Sequence, residues 1–357
     1  MRQRGFSLVE FMIAMTIGLF LIAGLVYLIA ETSRSRAEME RSSRQIENGR
    51  YALDRIAEDL RHAGFYSEFF LPPMTDKPGF PANLADAAPC GTTIANLTAG
   101  LPLGVQAYDG SAWSSLPAEI QSCVLDADYR PNTDILVVRR ASTSTIAKTD
   151  PAIVSNQTYI QSSPDEWPDG VKLDLGSNVA TFSLTRRPSG NATPLRRFMV
   201  RIYFVSKCNV PASDTTCNGV TDDGGTPIPT LKMLELGPGP AFQKLAIAEG
   251  IEHLQFDYGI DDPEFCTGVT PAPPGDGVAD CVVMCDATTP CNTKAWSNLV
   301  SVQVNLVARN TETSPSYADD KTYSLGGAGY TTATGDRYRR HAYTSFVRVK
   351  NISMRRE

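Results

Sequence analysis

The chain has two regimes, and their boundary lies between residues 64 and 72. Residues 11–30, FMIAMTIGLFLIAGLVYLIA, are twenty positions without a charge. At 1.5 Å per residue they form a helix about 30 Å long, one hydrocarbon thickness, so a membrane-spanning helix is predicted over 6–30. Beyond it, 31–62 has no proline and carries opposite charges at helical spacing: Arg34 with Glu38, Arg36 with Glu40, Glu40 with Arg44, Arg50 with Asp54, and Arg55 with Asp59. Leu53, Ile56, Ala57 and Leu60 then fall at i, i+3, i+4 and i+7, a stripe that can lie on a sheet, and Gly64 is placed as a C-cap. A stalk helix over 31–64 follows, its first half facing solvent and its second half packing. Read as one helix, 6–63 is about 87 Å long. Two helices hinged near Glu31 or at Asn48-Gly49 are the alternative.

The remainder, 65–357, reads as a β-rich globular part. From 72 to 134 the chain is rich in Pro, Gly, Ser, Ala and Asp with little periodicity, which predicts long loops and one short strand. Strands are expected at 135–140, 171–175, 198–206, 231–236, 251–260, 299–309 and 341–350. Val302, Val304 and Leu306 alternate with Ser301, Gln303 and Asn305, the pattern of a half-buried antiparallel sheet. The stripe of the stalk helix is expected to pack on that sheet, giving an α+β fold without an internal repeat.

Composition narrows the function. All 24 prolines and all eight cysteines lie beyond residue 71 of 357. Hydrophobic residues at 42% and charged residues at 20% exclude a disordered, collagenous or polytopic membrane chain. A net charge of −6 with scattered basic residues leaves no footprint for a phosphate backbone, so no nucleic acid is expected. His62, His253 and His341 are too dispersed for a histidine metal site.

The start of the chain is its most specific segment. A basic leader with Arg2 and Arg4 precedes Gly5, apolar Phe6 and then Glu10, a carboxylate inside an apolar helix where an unpaired charge is costly. A secretory signal peptide has a shorter apolar region and a small-x-small cleavage site, and Leu28-Ile29-Ala30 offers neither. A plain anchor leaves Glu10 unexplained. MRQRG-FSLVEF resembles the prepilin signal of type IV pilins and type II secretion pseudopilins. The resemblance implies that a prepilin peptidase removes leader 1–5 by cutting between Gly5 and Phe6, and methylates the new amine at Phe6. A buried carboxylate is tolerable when paired with a cation, so Glu10 is expected to set register against a neighbouring amine. Gly18 and Gly24 permit close helix approach but do not form a small-xxx-small motif, and simple tolerance is the preferred reading. Arg34, Arg36, Arg41 and Arg44 follow the span, so counting charges does not orient it. Eight cysteines in the soluble part point instead to an oxidising compartment.

Further segments resemble the PilW family of minor pilins: ILVVRRAS at 135–142, GIEHLQFDYGID at 250–261, the acidic turn GDGVADC at 275–281, and a closing strand through Phe346, Val347 and Arg348. The resemblance implies a pilin-like fold, a long N-terminal transmembrane and stalk helix packed on an antiparallel β-sheet with long disulfide-stapled loops. It implies a minor pilin that primes pilus assembly with other minor pilins in the bacterial inner membrane and sits near the pilus tip, acting in twitching motility and adhesion. The chain would cross that membrane once, with its C-terminal domain in the periplasm, and would be extracellular if incorporated in the pilus. The implied partners are other minor pilins, the major pilin, the prepilin peptidase, the inner-membrane assembly machinery and a tip adhesin. Many pilins place a proline in the N-terminal helix, and this chain has none there.

Eight cysteines allow 105 pairings, and spacing alone leaves the connectivity open. Cys208 with Cys217 would close a loop around Pro211. Cys266, Cys281, Cys285 and Cys291 lie close enough to staple an insertion between strands, which leaves Cys90 and Cys123. Zinc at those last four is disfavoured because their spacing departs from paired C-x2-C knuckles. Asp276 with Asp280, and Asp222 with Asp223, offer closely spaced oxygens of the kind calcium takes, but without an EF-hand ligand run the solvated-turn reading is preferred. No hydrolase, phosphate-binding or zinc-protease motif is present, so no enzyme and no cofactor are expected. The alternatives to a minor pilin are a minor pseudopilin of a type II secretion system and a membrane-tethered periplasmic ligand-binding or adhesive domain.

Overall fold

The computed structural model describes residues 7–67, 87–166, 170–213, 215–268, 275–315 and 317–353. The first element, α1 (Leu8–His62), is a single helix of 55 residues, about 82 Å long, unbroken at Glu31 and at Asn48-Gly49. Ser7 caps it: its Oγ accepts from the Glu10 amide at 3.3 Å, and the Glu10 carboxylate accepts from the Ser7 amide at 2.9 Å. Ala63 is the C-cap, and Gly64, at φ 70°, turns the chain away.

The chain continues through α2 (Ile94–Ala99), β1 (Val105–Tyr108), α3 (Ala118–Gln121), β2 (Ile135–Ala141), β3 (Thr158–Ser162), β4 (Val171–Leu175), β5 (Leu195–Ser206), β6 (Thr230–Gly237) and β7 (Ala241–Glu249). It then forms β8 (Ile251–Ile260), α4 (Pro263–Thr267), β9 (Cys281–Val283), α5 (Thr293–Ser297), β10 (Leu299–Arg309), β11 (Thr322–Leu325), β12 (Ala328–Thr331), β13 (Arg340–Arg348) and α6 (Lys350–Ser353). The fold is α+β and pilin-like, with two antiparallel sheets where the periodicity suggested one. A seven-stranded sheet runs β1-β2-β5-β3-β4, with β6 on β5 and β7 on β6. A four-stranded sheet runs β13-β10-β8-β9, and β11 and β12 form a separate hairpin. The chain passes between the sheets at Gly250, whose φ of 77° and close approach to the Arg309 carbonyl leave no place for a Cβ.

The expected stripe is the seat of the helix. Ala52, Leu53, Ile56, Ala57 and Leu60 pack with Leu136, Val138, Tyr203 and Met233 of the larger sheet and with Leu254, Phe256, Val302 and Val304 of the smaller. Burial of those side chains, rather than helix propensity, stabilises the second half of α1. The outer face of the larger sheet is covered in turn. Leu97, Leu101, Ile120, Val124 and Tyr129 pack on Val137, Val200, Ile202 and Phe204, so 87–134 gives the one expected short strand, β1, to the sheet and lays two short helices over it as a covering layer instead of long loops alone; 72–86 lie outside the described residues. On β10 the polar face is also covered. Asn305 is fully buried, donating to Asp257 at 2.9 Å and accepting from Thr344 at 3.0 Å, with Asp257 in turn accepting from the Gly327 amide of the β11–β12 turn at 3.0 Å. The four disulfides are Cys90–Cys123, Cys208–Cys217, Cys266–Cys281 and Cys285–Cys291, and none of the eight cysteines is free.

Candidate functional site

Among the described residues, the anchor face has no partner within the chain. An eighteen-residue stretch of α1 has mean hydropathy 2.5 and no buried residue, and Leu19, Phe20 and Leu21 stand 71%, 76% and 70% exposed. Such a surface requires a bilayer or other apolar helices around it. Glu10 lies in the first turn, where helix N-terminal amides favour a carboxylate, and among the described residues its side chain bonds only the Ser7 amide of its own helix. Gly18 and Gly24 have open space around them. Gly5 and Phe6 lie outside the described residues.

Beyond the anchor, α1 is fixed to the sheets by polar contacts. Gln45 donates to the Ala308 and Arg339 carbonyls at 2.6 and 3.1 Å, and Asn48 to the Glu249 carbonyl at 3.1 Å. Gly49 lets the Tyr343 ring lie against the helix, since a Cβ there would meet the ring at 2.5 Å. Deepest is Asp59, which is fully buried. Arg201 donates to both its oxygens at 2.6 and 3.0 Å, Arg140 donates at 3.0 Å, and the Tyr203 hydroxyl donates to Oδ2. Arg201 also reaches Glu235 at 3.2 Å. Burial pulls the Arg201 guanidinium down, but Asp59 and Glu235 outweigh it and hold it above its ordinary value. Burial, reinforced by Asp59, pushes the Tyr203 hydroxyl well up, so it stays a donor.

Sequence reasoning paired Asp59 with Arg55, but Arg55 bonds Glu58 at 3.0 Å and Asp59 turns to the sheet. Among the described residues, the other expected helical pairs form no ion pair; Glu38 pairs with Arg41 at 2.9 Å instead, and Arg41 reaches Glu312 at 2.6 Å. The run ILVVRRAS explains itself through strand alternation. Arg140 points to the helix, while Arg139 points to the covering layer and donates to the Leu103 and Ala87 carbonyls and the Gln106 amide oxygen at 3.0, 2.9 and 3.0 Å.

The C-terminal segments meet in a second ion cluster. Arg340 of β13 bonds Glu252 of β8 at 2.5 Å, Asp319 at 3.1 Å and Asp336 at 2.7 Å. Phe346 is 68% exposed on the outer side of β13, while Val347 is buried. In the acidic turn, Asp276 caps the Val278 amide at 2.9 Å and is exposed, and the Gly277 amide bonds Asp261 at 2.9 Å. Asp280 is exposed one residue before the Cys266–Cys281 bridge. The Asp222 and Asp223 oxygens accept from six backbone amides, of Ala212, Asn218, Gly219, Asn209, Val210 and Ile228, so these two carboxylates fasten the Cys208–Cys217 loop. Among the described residues, the one set of three close metal-type ligand atoms is Cys208, Cys217 and Asp222, and its sulfurs are joined to each other. Cys266, Cys281, Cys285 and Cys291 are likewise disulfide-bonded and present no thiolate.

An open cavity of about 680 Å³ lies where the covering layer, β8 and the β11–β12 hairpin meet, lined by Asp109, Asp134, His253, Asp286 and Tyr330 among others. Asp134 joins the sheets: its amide donates to the Leu254 carbonyl at 2.9 Å and its Oδ2 accepts from the Phe256 amide at 2.9 Å, while Oδ1 has no hydrogen-bond partner among the described residues. Burial, then the fields of Asp109, Asp257 and Asp286, hold its carboxyl well above the usual range. Burial, with Arg130 adding to it, pushes His253 down to about 4, so it is neutral at pH 7. No sequence pattern marked this cavity, because its walls come from six separate stretches of the chain, 109–111, 130–134, 207, 253–255, 284–286 and 328–331.

Comparison with known proteins returns two families. The model of the prokaryotic N-terminal methylation motif matches residues 1–26, and that of the Type IV Pilus-assembly protein W matches residues 217–351. The first covers Gly5, Phe6 and Glu10, and the second runs from the end of the Cys208–Cys217 loop through β13. No curated protein and no solved structure matches the chain.

Proposed function

We propose that this chain, a PilW-type pilin with a prepilin signal, primes pilus assembly as a minor pilin in the inner membrane and stays near the pilus tip. Its work is docking rather than catalysis. The observation that carries this reading is one helix with two unlike halves. The first exposes an apolar surface on every side, and the second is fastened to two sheets through Asp59, Gln45 and Gly49. A rigid connection of that kind transmits the position of a membrane-embedded helix to a soluble domain, as a subunit entering a helical bundle requires.

Maturation supplies the chemistry at the start of the helix. Cleavage between Gly5 and Phe6 places a methylated, cationic amine at Phe6, and a neighbouring subunit's Glu10 exchanges its bond to Ser7 for that cation. In an apolar surrounding a carboxylate is retained only when so paired. The soluble domain lies in the periplasm in this reading, which its four disulfides support, since such bonds persist in an oxidising compartment.

Deleting the gene and measuring surface pili, twitching and protein secretion in the same strain tests the proposal. Loss of pili and twitching with secretion intact is expected. Loss of secretion with pili intact would overturn it in favour of a pseudopilin. Pili, twitching and secretion all unaffected would favour a tethered binding domain, for which the 680 Å³ cavity is the place to look.

A further inference from the structure

A groove of about 360 Å³ runs between the stalk helix and β13, with Ile46, Arg50, Tyr317, Lys321, His341 and Tyr343 on its walls. Among the described residues, no carboxylate lines it. Arg340 at its floor is neutralised by Glu252, Asp319 and Asp336, and Arg339 shares Glu38 at 3.4 Å. Arg50 and Lys321 are exposed and have no ion-pair partner among the described residues. The groove therefore carries an excess of positive charge on a chain whose net charge is −6.

The same helix carries the complement. Glu40, Glu47, Asp54 and Glu58 are all exposed and, at 3.6 residues per turn, lie within about 40° of one another, opposite the buried face of Gly49, Ile56 and Leu60. Glu58 bonds Arg55, and Arg44 stands beside the stripe, but Glu40, Glu47 and Asp54 have no ion-pair partner among the described residues. Arg50 stands on the flank of that stripe, about 40° around the helix from Asp54 and about 80° from Glu40, and no ion pair joins it to either among the described residues.

We infer that the groove receives the acidic stripe of a second copy of this chain, stalk beside stalk. This rests on the proposed membrane-anchored minor pilin. Two chains held by the same apolar run stand parallel at the same height, which brings Ser42 to Arg50 of one level with Glu40, Glu47 and Asp54 of the other. The groove begins about 18 Å beyond Ala30, more than a Debye length of roughly 8–10 Å from the end of the span, so lipid headgroups do not compete for it. The contact is heterologous, with groove and stripe on different faces, so each copy offers both halves of it. The apolar helices supply most of the attraction, and the charges set which faces meet.

A photocrosslinking aromatic residue in place of Tyr317, in the full-length chain in its own membrane, tests the inference. Irradiation is expected to give a product of twice the chain mass, with crosslinked peptides from residues 40–58. Glu47→Lys with Asp54→Lys should cut that product at least tenfold, and co-expression with an Arg50→Glu, Lys321→Glu partner should restore it. A product of another mass, a crosslink to lipid, or a dimer indifferent to charge reversal would overturn it. Pilus counts on the same cells separate the two claims. If deleting the chain abolishes pili but the charge reversals leave the dimer unchanged, the groove contact fails and the minor-pilin reading stands. If deletion leaves pili intact, the minor-pilin reading fails whatever the crosslink shows.

Discussion

Asp59 of the stalk helix and Arg201 of β5 are 142 positions apart in sequence and 2.6 Å apart in the fold, with the carboxylate sealed from solvent. Replacing Asp59 by Ala removes one charge and leaves two, Arg140 and Arg201, buried against the helix. Breaking a buried pair on one side costs about 3–5 kcal/mol, so Asp59→Ala should lower the urea midpoint of the full-length chain sharply. A midpoint equal to that of the wild type would show that the Asp59 cluster adds nothing to what the apolar stripe and the Gln45 and Asn48 contacts already hold.

The disulfides should differ in weight. Cys90–Cys123 closes a separation of 33 residues and pins the covering layer, whereas Cys285–Cys291 closes only 6. Loop-closure entropy gives about 4 kcal/mol for the first and about 2 kcal/mol for the second. Paired serine substitutions followed by thermal unfolding should therefore rank Cys90–Cys123 as the costlier loss, and the reverse order would mean that the covering layer is ordered without its bridge.

Asp134 predicts a pH dependence. Its folded carboxyl is held above the ordinary value of about 4, so the stability it contributes is complete below that value and is lost as pH rises through the raised one. Glu252, held low despite its burial by its bond to Arg340, acts with the opposite sign. The clean observable is thus the difference between Asp134→Asn and wild type, which should move in favour of Asn as pH rises from 4 to 8. A constant difference would place the proton elsewhere.

Much of this architecture is legible in the sequence where local pattern and tertiary burial agree. β8 and β10 begin and end where their alternating β-branched and aromatic residues do. β7 is not legible: AFQKLAIAE is built from good helix formers, most of its positions are exposed or half-buried, and pairing with β6 decides it. The covering layer 87–134 lacks periodicity because it is fixed by contacts from outside, by Arg139 and by Cys90–Cys123. Asp59 was misleading for a related reason. Arg55 offers it a local partner, and only the folded sheets bring Arg140 and Arg201, 81 and 142 residues away, into competition. Gly5, Phe6 and Glu10 stand out because their signal is local by nature.

The last prediction separates maturation from assembly. Gly5 precedes the proposed cleavage point, so replacing it with a bulky residue should leave a full-length chain starting at Met1, visible by intact mass. Glu10 lies beyond that point, and among the described residues its side chain makes only a capping contact with Ser7, exposed to its surroundings. Losing a cap costs about 1 kcal/mol locally, too little to unfold a helix of 55 residues. Glu10→Ala should therefore be processed to a methylated Phe6 terminus at close to the wild-type level and still fail in assembly, since what it loses is the pairing of a carboxylate with a neighbouring amine in an apolar bundle. Glu10→Gln, which keeps the capping geometry but not the charge, should fail with it. Normal pilus numbers in the Gln variant would show that the cap, and not the charge, is what the position supplies.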